Sequence, residues 1–128
     1  MAKVITTEEL KKKIDDLLAG KAGGGDFYPI DALAPTSFAA RHIPGAKNVP
    51  NGLQYAENFE KVVGAPKDLP AGRQAPEIIV YCSSSGCMAS VQAAHALEEA
   101  GYTNVTHYKD GLAGWQKAGY EFEGEAAA

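Results

Sequence analysis

Residues 78–81 read Ile-Ile-Val-Tyr, an unbroken apolar run led by β-branched side chains, and the run stops at Cys82. A strand with one wet face alternates apolar and polar residues. A run without alternation belongs to a strand covered on both faces, as in a parallel sheet sandwiched between helices. The next residues, Cys82-Ser83-Ser84-Ser85-Gly86-Cys87-Met88, are small and polar apart from the last. Beyond them Val91, Ala94 and Leu97 mark one face of a helix whose alanines permit close packing on the sheet, and Gly101 is its natural stop.

The rest of the chain repeats this order. Thr6 and Glu9 stand at capping-box spacing ahead of Leu10, Ile14, Leu17 and Leu18, which predicts a helix from about Thr7 to Leu18. The glycine-rich stretch 20–25 closes it as a flexible loop and lacks the Lys-Ser/Thr ending of a phosphate-binding loop. Phe27 to Asp31 predicts a strand, shortened or irregular because Pro29 has no N–H for a ladder. A helical turn over Ser37–Ala40, a strand over Asn48–Pro50 and a helix over about Leu53–Val63 follow, the last among the turn formers Gly64, Pro66, Pro70 and Pro76. Val105–Tyr108 predicts another strand and Leu112–Ala118 a final helix carrying Trp115. Strands alternating with helices predict an α/β sandwich with a mainly parallel sheet. The 128 residues, without internal repeat, suit one domain over 1–128, with 124–128 as a frayed tail.

Composition narrows the function. The net charge of −4 supplies no basic field for nucleic acid or anionic lipid, so neither is expected as a partner. No run of about 18 apolar residues is available to span a bilayer. The start, Met1-Ala2-Lys3-Val4-Ile5-Thr6, has no apolar leader, and the expected compartment is the cytoplasm. A chain already trimmed of its leader reads the same and would belong in the periplasm. Two cysteines are too few for a disulfide scaffold, and with three scattered histidines they give no zinc spacing. No metal or cofactor is expected.

Both cysteines lie on the loop that follows the buried strand. Sites in open α/β sheets form beyond the carboxyl ends of the strands. A small-residue loop entering a helix turns backbone N–H groups inward, and the helix dipole adds to their field. That environment stabilises an anion, and a thiolate is one: a free thiol of pKa about 8.5 falls toward neutrality or below at a helix N-terminus. The competing reading of Cys82 is an inert core cysteine ending a strand.

Motif order decides between them. Asp31, His42-Ile43-Pro44-Gly45-Ala46-Lys47-Asn48-Val49-Pro50, Val80-Tyr81-Cys82, Gly101-Tyr102-Thr103-Asn104-Val105 and Asp110-Gly111-Leu112-Ala113-Gly114-Trp115 occur in the order and spacing of the rhodanese homology domain, which the chain resembles over about residues 4–120. The resemblance implies a three-layer rhodanese-like sandwich with about five strands. It also implies sulfur transfer from a persulfide, polysulfide or thiosulfate donor to a thiol, through a persulfide on Cys82. Ser83, Ser84, Ser85, Gly86 and Met88 then form the substrate loop, with Asp31, Arg41 and His42 in support.

The departures from the family pattern bear on substrate. Leu33 replaces the Arg of Asp-x-Arg, Arg41 replaces a Gly, and Asp110 replaces the first Gly of the Gly-Gly element. The loop holds no Arg or Lys, which disfavours the thiosulfate dianion and favours persulfides and polysulfides. Related phosphatases carry an Arg where Met88 stands, and without it nothing grips an oxyanion in bidentate fashion. Cys87 is either a resolving thiol or a packing residue. As a resolving thiol it attacks the Cys82 persulfide, or a sulfenic acid there, and closes a disulfide. Two alternatives to sulfur transfer follow: a thiol–disulfide switch served by a thioredoxin-like reductant, and a non-catalytic carrier that passes sulfur to a protein partner. His42 reads as a structural residue of the turn at 43–45, His95 and His107 as surface or packing residues, and Tyr102 and Trp115 as core.

Overall fold

The computed structural model describes residues 3–20, 27–64, 77–84 and 86–125, so expectations for 21–25, Pro66, Pro70, Pro76, Ser85 and 126–128 lie outside the described residues. Five strands, β1 (Lys3–Val4), β2 (Phe27–Asp31), β3 (Lys47–Asn48), β4 (Glu77–Tyr81) and β5 (Val105–Tyr108), form one sheet in the order β1-β5-β4-β2-β3. Every pairing is parallel. The helices are α1 (Thr7–Leu18), α2 (Pro35–Ala40), α3 (Tyr55–Val62), α4 (Ala89–Glu99) and α5 (Gly111–Lys117). The expected α/β sandwich with a five-stranded parallel sheet is the architecture observed.

β4 runs through the middle of the sheet and shows why its sequence does not alternate. Ile78 and Val80 join Ile30, Phe59, Ala93, Leu97 and Val105 on the face covered by α3 and α4. Ile79 and Tyr81 join Leu10, Ile14, Tyr108, Leu112 and Trp115 on the face covered by α1 and α5. Both faces are dry, so both parities are apolar. The α1 start is the expected capping box: Thr6 accepts from the Glu9 N–H at 3.2 Å, and the Glu9 carboxylate accepts from the Thr6 N–H at 3.2 Å.

β2 is a regular strand despite Pro29. The Ala32 N–H donates to the Tyr81 carbonyl at 3.0 Å, so the even-numbered residues of β2 bond toward β4. The Asp31 carbonyl accepts from Val49 on the opposite side, so Pro29 shares that side. There β3 pairs only with Ile30 and Asp31, and the missing N–H of Pro29 costs no ladder bond.

Three other expectations are corrected. β3 covers Lys47–Asn48 rather than Asn48–Pro50, because Val49 already turns its side chain into the core. Val91 is 40% exposed, and the buried face of α4 is Ser90, Ala93, Ala94 and Leu97. β1 went unpredicted because only two residues pair, both exposed. Beyond α5 the chain returns to α2. His42 and Glu123 exchange backbone hydrogen bonds of 2.8 and 2.9 Å, and the Glu125 N–H donates to the Ala39 carbonyl at 2.8 Å.

Candidate active site

Cys82 follows β4, and strand periodicity puts its side chain on the same face as Val80, toward α4. It is 1% exposed, whereas Cys87 is half-buried. The two form a disulfide with their Cα atoms 6.3 Å apart, which makes Cys87 a bonding partner rather than a packing residue. Among the described residues, two hydrogen-bonding atoms lie against the Cys82 Sγ: the Ser90 hydroxyl at 3.2 Å and the Cys87 carbonyl at 3.5 Å. A side-chain hydroxyl from the first turn of α4, not expected from the sequence, thus lies against Sγ. That turn also brings the positive end of the helix dipole to the sulfur.

Ser90 is fully buried, and its hydroxyl lies 2.7 Å from the Nε2 of His107 on β5. The register makes this junction: Val80 is the Cα partner of His107, so Val80 and His107 share a face and Cys82 lies two residues further along it. Burial, with Lys109 adding to it, holds the His107 imidazole below the usual histidine range. Ser90 and His107 were missed as site residues in the sequence. The available signal was parity, since His107 stands two residues after the buried Val105 and faces the same helix.

The loop is tied at both ends. The Ser84 carbonyl accepts from the Cys87 N–H at 3.1 Å, and the Cys82 and Ser83 carbonyls accept from Leu112 and Ala113 at 3.0 and 2.8 Å. These bonds join the loop to the start of α5, where Gly111 takes φ +61°. A Cβ there would run into the Cys82 carbonyl and come within 2.9 Å of the Ser83 carbon and Ser84 nitrogen. Ser83 and Gly86 are exposed and Ser84 is half-buried, while Met88, 58% exposed, is the residue preceding α4. Beside Ser84 opens a cleft of about 450 Å³ whose lining includes Glu8, Asp110 and Lys117.

Of the three expected supporting residues, Arg41 and His42 make their contacts elsewhere. Asp31 is fully buried at the end of β2, next to Tyr81 in the register. Its Oδ1 accepts from the Leu33 N–H at 2.8 Å, while Oδ2 has no hydrogen-bond partner among the described residues. Burial pushes its carboxyl above the usual range, and the Leu33 N–H, the Tyr81 hydroxyl and His42 pull the other way. Arg41 bonds the Gln116 side chain at 3.1 Å and lies 4.9 Å over the Phe122 ring. His42 stacks on Phe38 with centroids 3.8 Å apart, and its Nδ1 bonds the Phe38 carbonyl at 2.8 Å. Both side chains anchor the C-terminal segment to α2. The structure brings Cys82, Cys87, Ser90 and His107 together, and it assigns Arg41 and His42 contacts away from that group.

Comparisons with known proteins agree with this architecture. A family model described as "Rhodanese-like domain" matches residues 6–118. A solved structure of a protein from Bacillus halodurans is 20% identical, with a TM-score of 0.75 over 98% of this chain and 80% of that one. A rhodanese-like domain from Anabaena sp. is 25% identical, with a TM-score of 0.66 over 98% of this chain and 82% of its own. A thiosulfate sulfurtransferase from Pseudomonas aeruginosa is 27% identical with a TM-score of 0.68; 96% of this chain is matched, but only 20% of that larger protein. No curated protein sequence matches the chain.

Proposed function

Because this chain belongs to the rhodanese-like domain family, we propose that it is a sulfurtransferase in which Cys82 carries sulfane sulfur as a persulfide. The observation that carries this reading is the placement of Cys82. It stands at the carboxyl end of the central strand, with its sulfur against the first turn of α4 and a buried hydroxyl. The Cys82 thiolate attacks the terminal sulfur of a persulfide donor RSSH. A bond forms between Sγ and that sulfur, the donor S–S bond breaks, and RS⁻ leaves. An acceptor thiolate then attacks the outer sulfur and releases Cys82 as thiolate. The loop without Arg or Lys supports persulfide or polysulfide donors over the thiosulfate dianion.

The disulfide favours a second outlet for the same sulfur. The Cys87 thiolate attacks the Cys82 Sγ, expels HS⁻ and leaves the Cys82–Cys87 disulfide, which a dithiol reductant of thioredoxin type must open before the next turnover. Of the two sulfurs Cys87 is the more accessible, so the reductant attacks there and Cys82 leaves as the thiolate. The test is intact-mass measurement of reduced wild type, Cys82→Ser and Cys87→Ser after polysulfide and, separately, thiosulfate. The expected result is a gain of about 32 Da per sulfur with polysulfide in Cys87→Ser, a loss of about 2 Da in wild type as Cys87 expels HS⁻ and closes the disulfide, and neither change in Cys82→Ser. Loading of Cys82→Ser to the extent seen in Cys87→Ser overturns the assignment.

A further inference from the structure

Ser90 enters the reading above only as a neighbour of the sulfur and His107 not at all, yet both stand in line with the reacting atom. The Cys82 Sγ is 3.2 Å from the Ser90 Oγ, which is 2.7 Å from the His107 Nε2. The three residues come from three elements, the end of β4, the first turn of α4, and β5, so the line is a product of the fold rather than of local sequence. The buried Ser90 hydroxyl spans the Cys82 sulfur and an imidazole.

The geometry points to a proton relay in which His107, acting through Ser90, sets the protonation state of Cys82. In the dithiol, the Cys82 S–H donates to the Ser90 Oγ and the Ser90 O–H donates to the unprotonated Nε2. Ionisation moves both protons one step along the line. The thiolate then accepts from Ser90, and the new Nε2–H donates to the Ser90 oxygen. No co-reactant is consumed. The same two bonds stabilise Cys82 when it is the leaving thiolate, either after the acceptor takes the outer sulfur or when a reductant opens the disulfide at Cys87. Ser90 touches the reacting sulfur; His107 is a positioning residue one atom removed.

The surroundings keep the ring unprotonated until a negative charge forms beside it. Burial keeps His107 below its ordinary range, so in the disulfide form the ring is neutral near pH 7. Lys109, beyond the end of β5, is the cation acting on it. The register partners of His107 on β1 and β4 are Val4 and Val80, and the α4 face toward the sheet is Ser90, Ala93, Ala94 and Leu97. His95 and Glu99, also on α4, pair with each other at 2.9 Å and are both largely exposed. Among the described residues, the negative charge that can draw the proton to His107 is therefore the Cys82 thiolate itself.

This inference rests on Cys82 being the reactive sulfur, and the test separates the two. The rate of iodoacetamide alkylation is followed from pH 5 to 10 in the reduced Cys87→Ser protein, which has a single thiol, and in the same background with His107→Gln or Ser90→Ala. Alkylation reads the thiolate whether or not sulfur is transferred, and polysulfide loading by intact mass is measured in parallel. The expected profile for Cys87→Ser rises well below the pH of a free thiol. Each second substitution moves it up by about one unit, slowing alkylation about tenfold at pH 6.5 while leaving the high-pH plateau unchanged. Gln retains a hydrogen bond to Ser90 but takes no proton, so a purely structural role predicts that His107→Gln leaves the profile in place. That result overturns the relay. Ser90 is fully buried, so should Ser90→Ala lose its thermal transition, the half-buried His107→Gln decides alone. A shifted profile without polysulfide loading keeps the relay and refutes the sulfurtransferase; loading with superimposed profiles does the reverse.

Discussion

Gly111→Ala tests whether the loop that carries Cys82 is held by the start of α5. Two costs apply at this position. The residue sits at φ +61°, where an L side chain costs about 1–2 kcal/mol. The added Cβ also meets the Cys82 carbonyl and comes within 2.9 Å of the Ser83 carbon and Ser84 nitrogen, all backbone that cannot rotate away. Relief requires α5 and the loop to separate, which loosens the bonds from Leu112 to Cys82 and from Ala113 to Ser83, at about 1 kcal/mol each. The sum is about 3–4 kcal/mol, and at about 4 °C per kcal/mol for a domain of this size the melting temperature falls by about 12–16 °C. Gly119→Ala is the matched control. It sits at φ +82° with nothing within 4 Å of the added Cβ, so it incurs the conformational cost alone, a fall of about 4–8 °C. Calorimetry of oxidised wild type and both variants gives the comparison. The difference between the two variants isolates the contact with the Cys82 loop, and equal melting temperatures for Gly111→Ala and Gly119→Ala would refute the reasoning.

Three further outcomes follow from the site. Asp31 has a folded-state pKa raised by burial, so its contribution to stability is greatest below the unfolded carboxyl value and is lost as pH rises through the folded value. Urea unfolding should therefore show Asp31→Asn gaining on wild type between pH 4 and 7, and a pH-independent difference would show that Asp31 is not perturbed. His107 is shifted the other way, so its contribution is present above the ordinary histidine value and lost as pH falls through its lowered one. His107→Gln should flatten the acid limb of the wild-type stability profile over about pH 5–7, and an unchanged limb counts against this. On the proposed mechanism Cys87→Ala removes the thiol that expels sulfide, so a methylene-blue assay of the reduced protein, freed of reductant and then given polysulfide, should show less sulfide than wild type and the Cys82 persulfide retained in the mass spectrum; undiminished release would exclude the Cys87 route.

Local pattern made the frame legible in the sequence. The capping box of Thr6 and Glu9 fixed the start of α1, and the apolar run at 78–81 identified the central strand because two dry faces leave no other composition. Legibility failed where the determinant was not local. Pro29 looked disruptive because the sequence does not show that β3 stops short of it. β1 carried no signal because two exposed residues acquire strand geometry only by lying beside β5. Val91 was placed on the buried face of α4, but a helix of alanines has small hydrophobic contrast. The side it turns to the sheet is the one carrying Leu97, with Ala93, Ala94 and Ser90 beside it.

The same distinction divides the site. Cys82 is legible because a strand end, a small-residue loop and a helix start are contiguous. The Ser90–His107 extension depends on sheet register, which no window of sequence around Cys82 contains. Parallel pairing sets Val80 opposite His107, and with it Cys82 and His107 face α4 together. A slip of β5 by one residue would turn His107 toward α1 and α5 and offer Thr106 or Tyr108 to the sulfur instead. The register is held by the burial of Val105 on one face and Tyr108 on the other, and by the bond of 2.7 Å between the Tyr108 and Thr7 hydroxyls. The residues that place the imidazole beside Ser90 are thus core residues with no chemistry of their own. A conservative change at Val105 or Tyr108 that shifts β5 should raise the pH at which Cys82 reacts, although neither side chain contacts the sulfur.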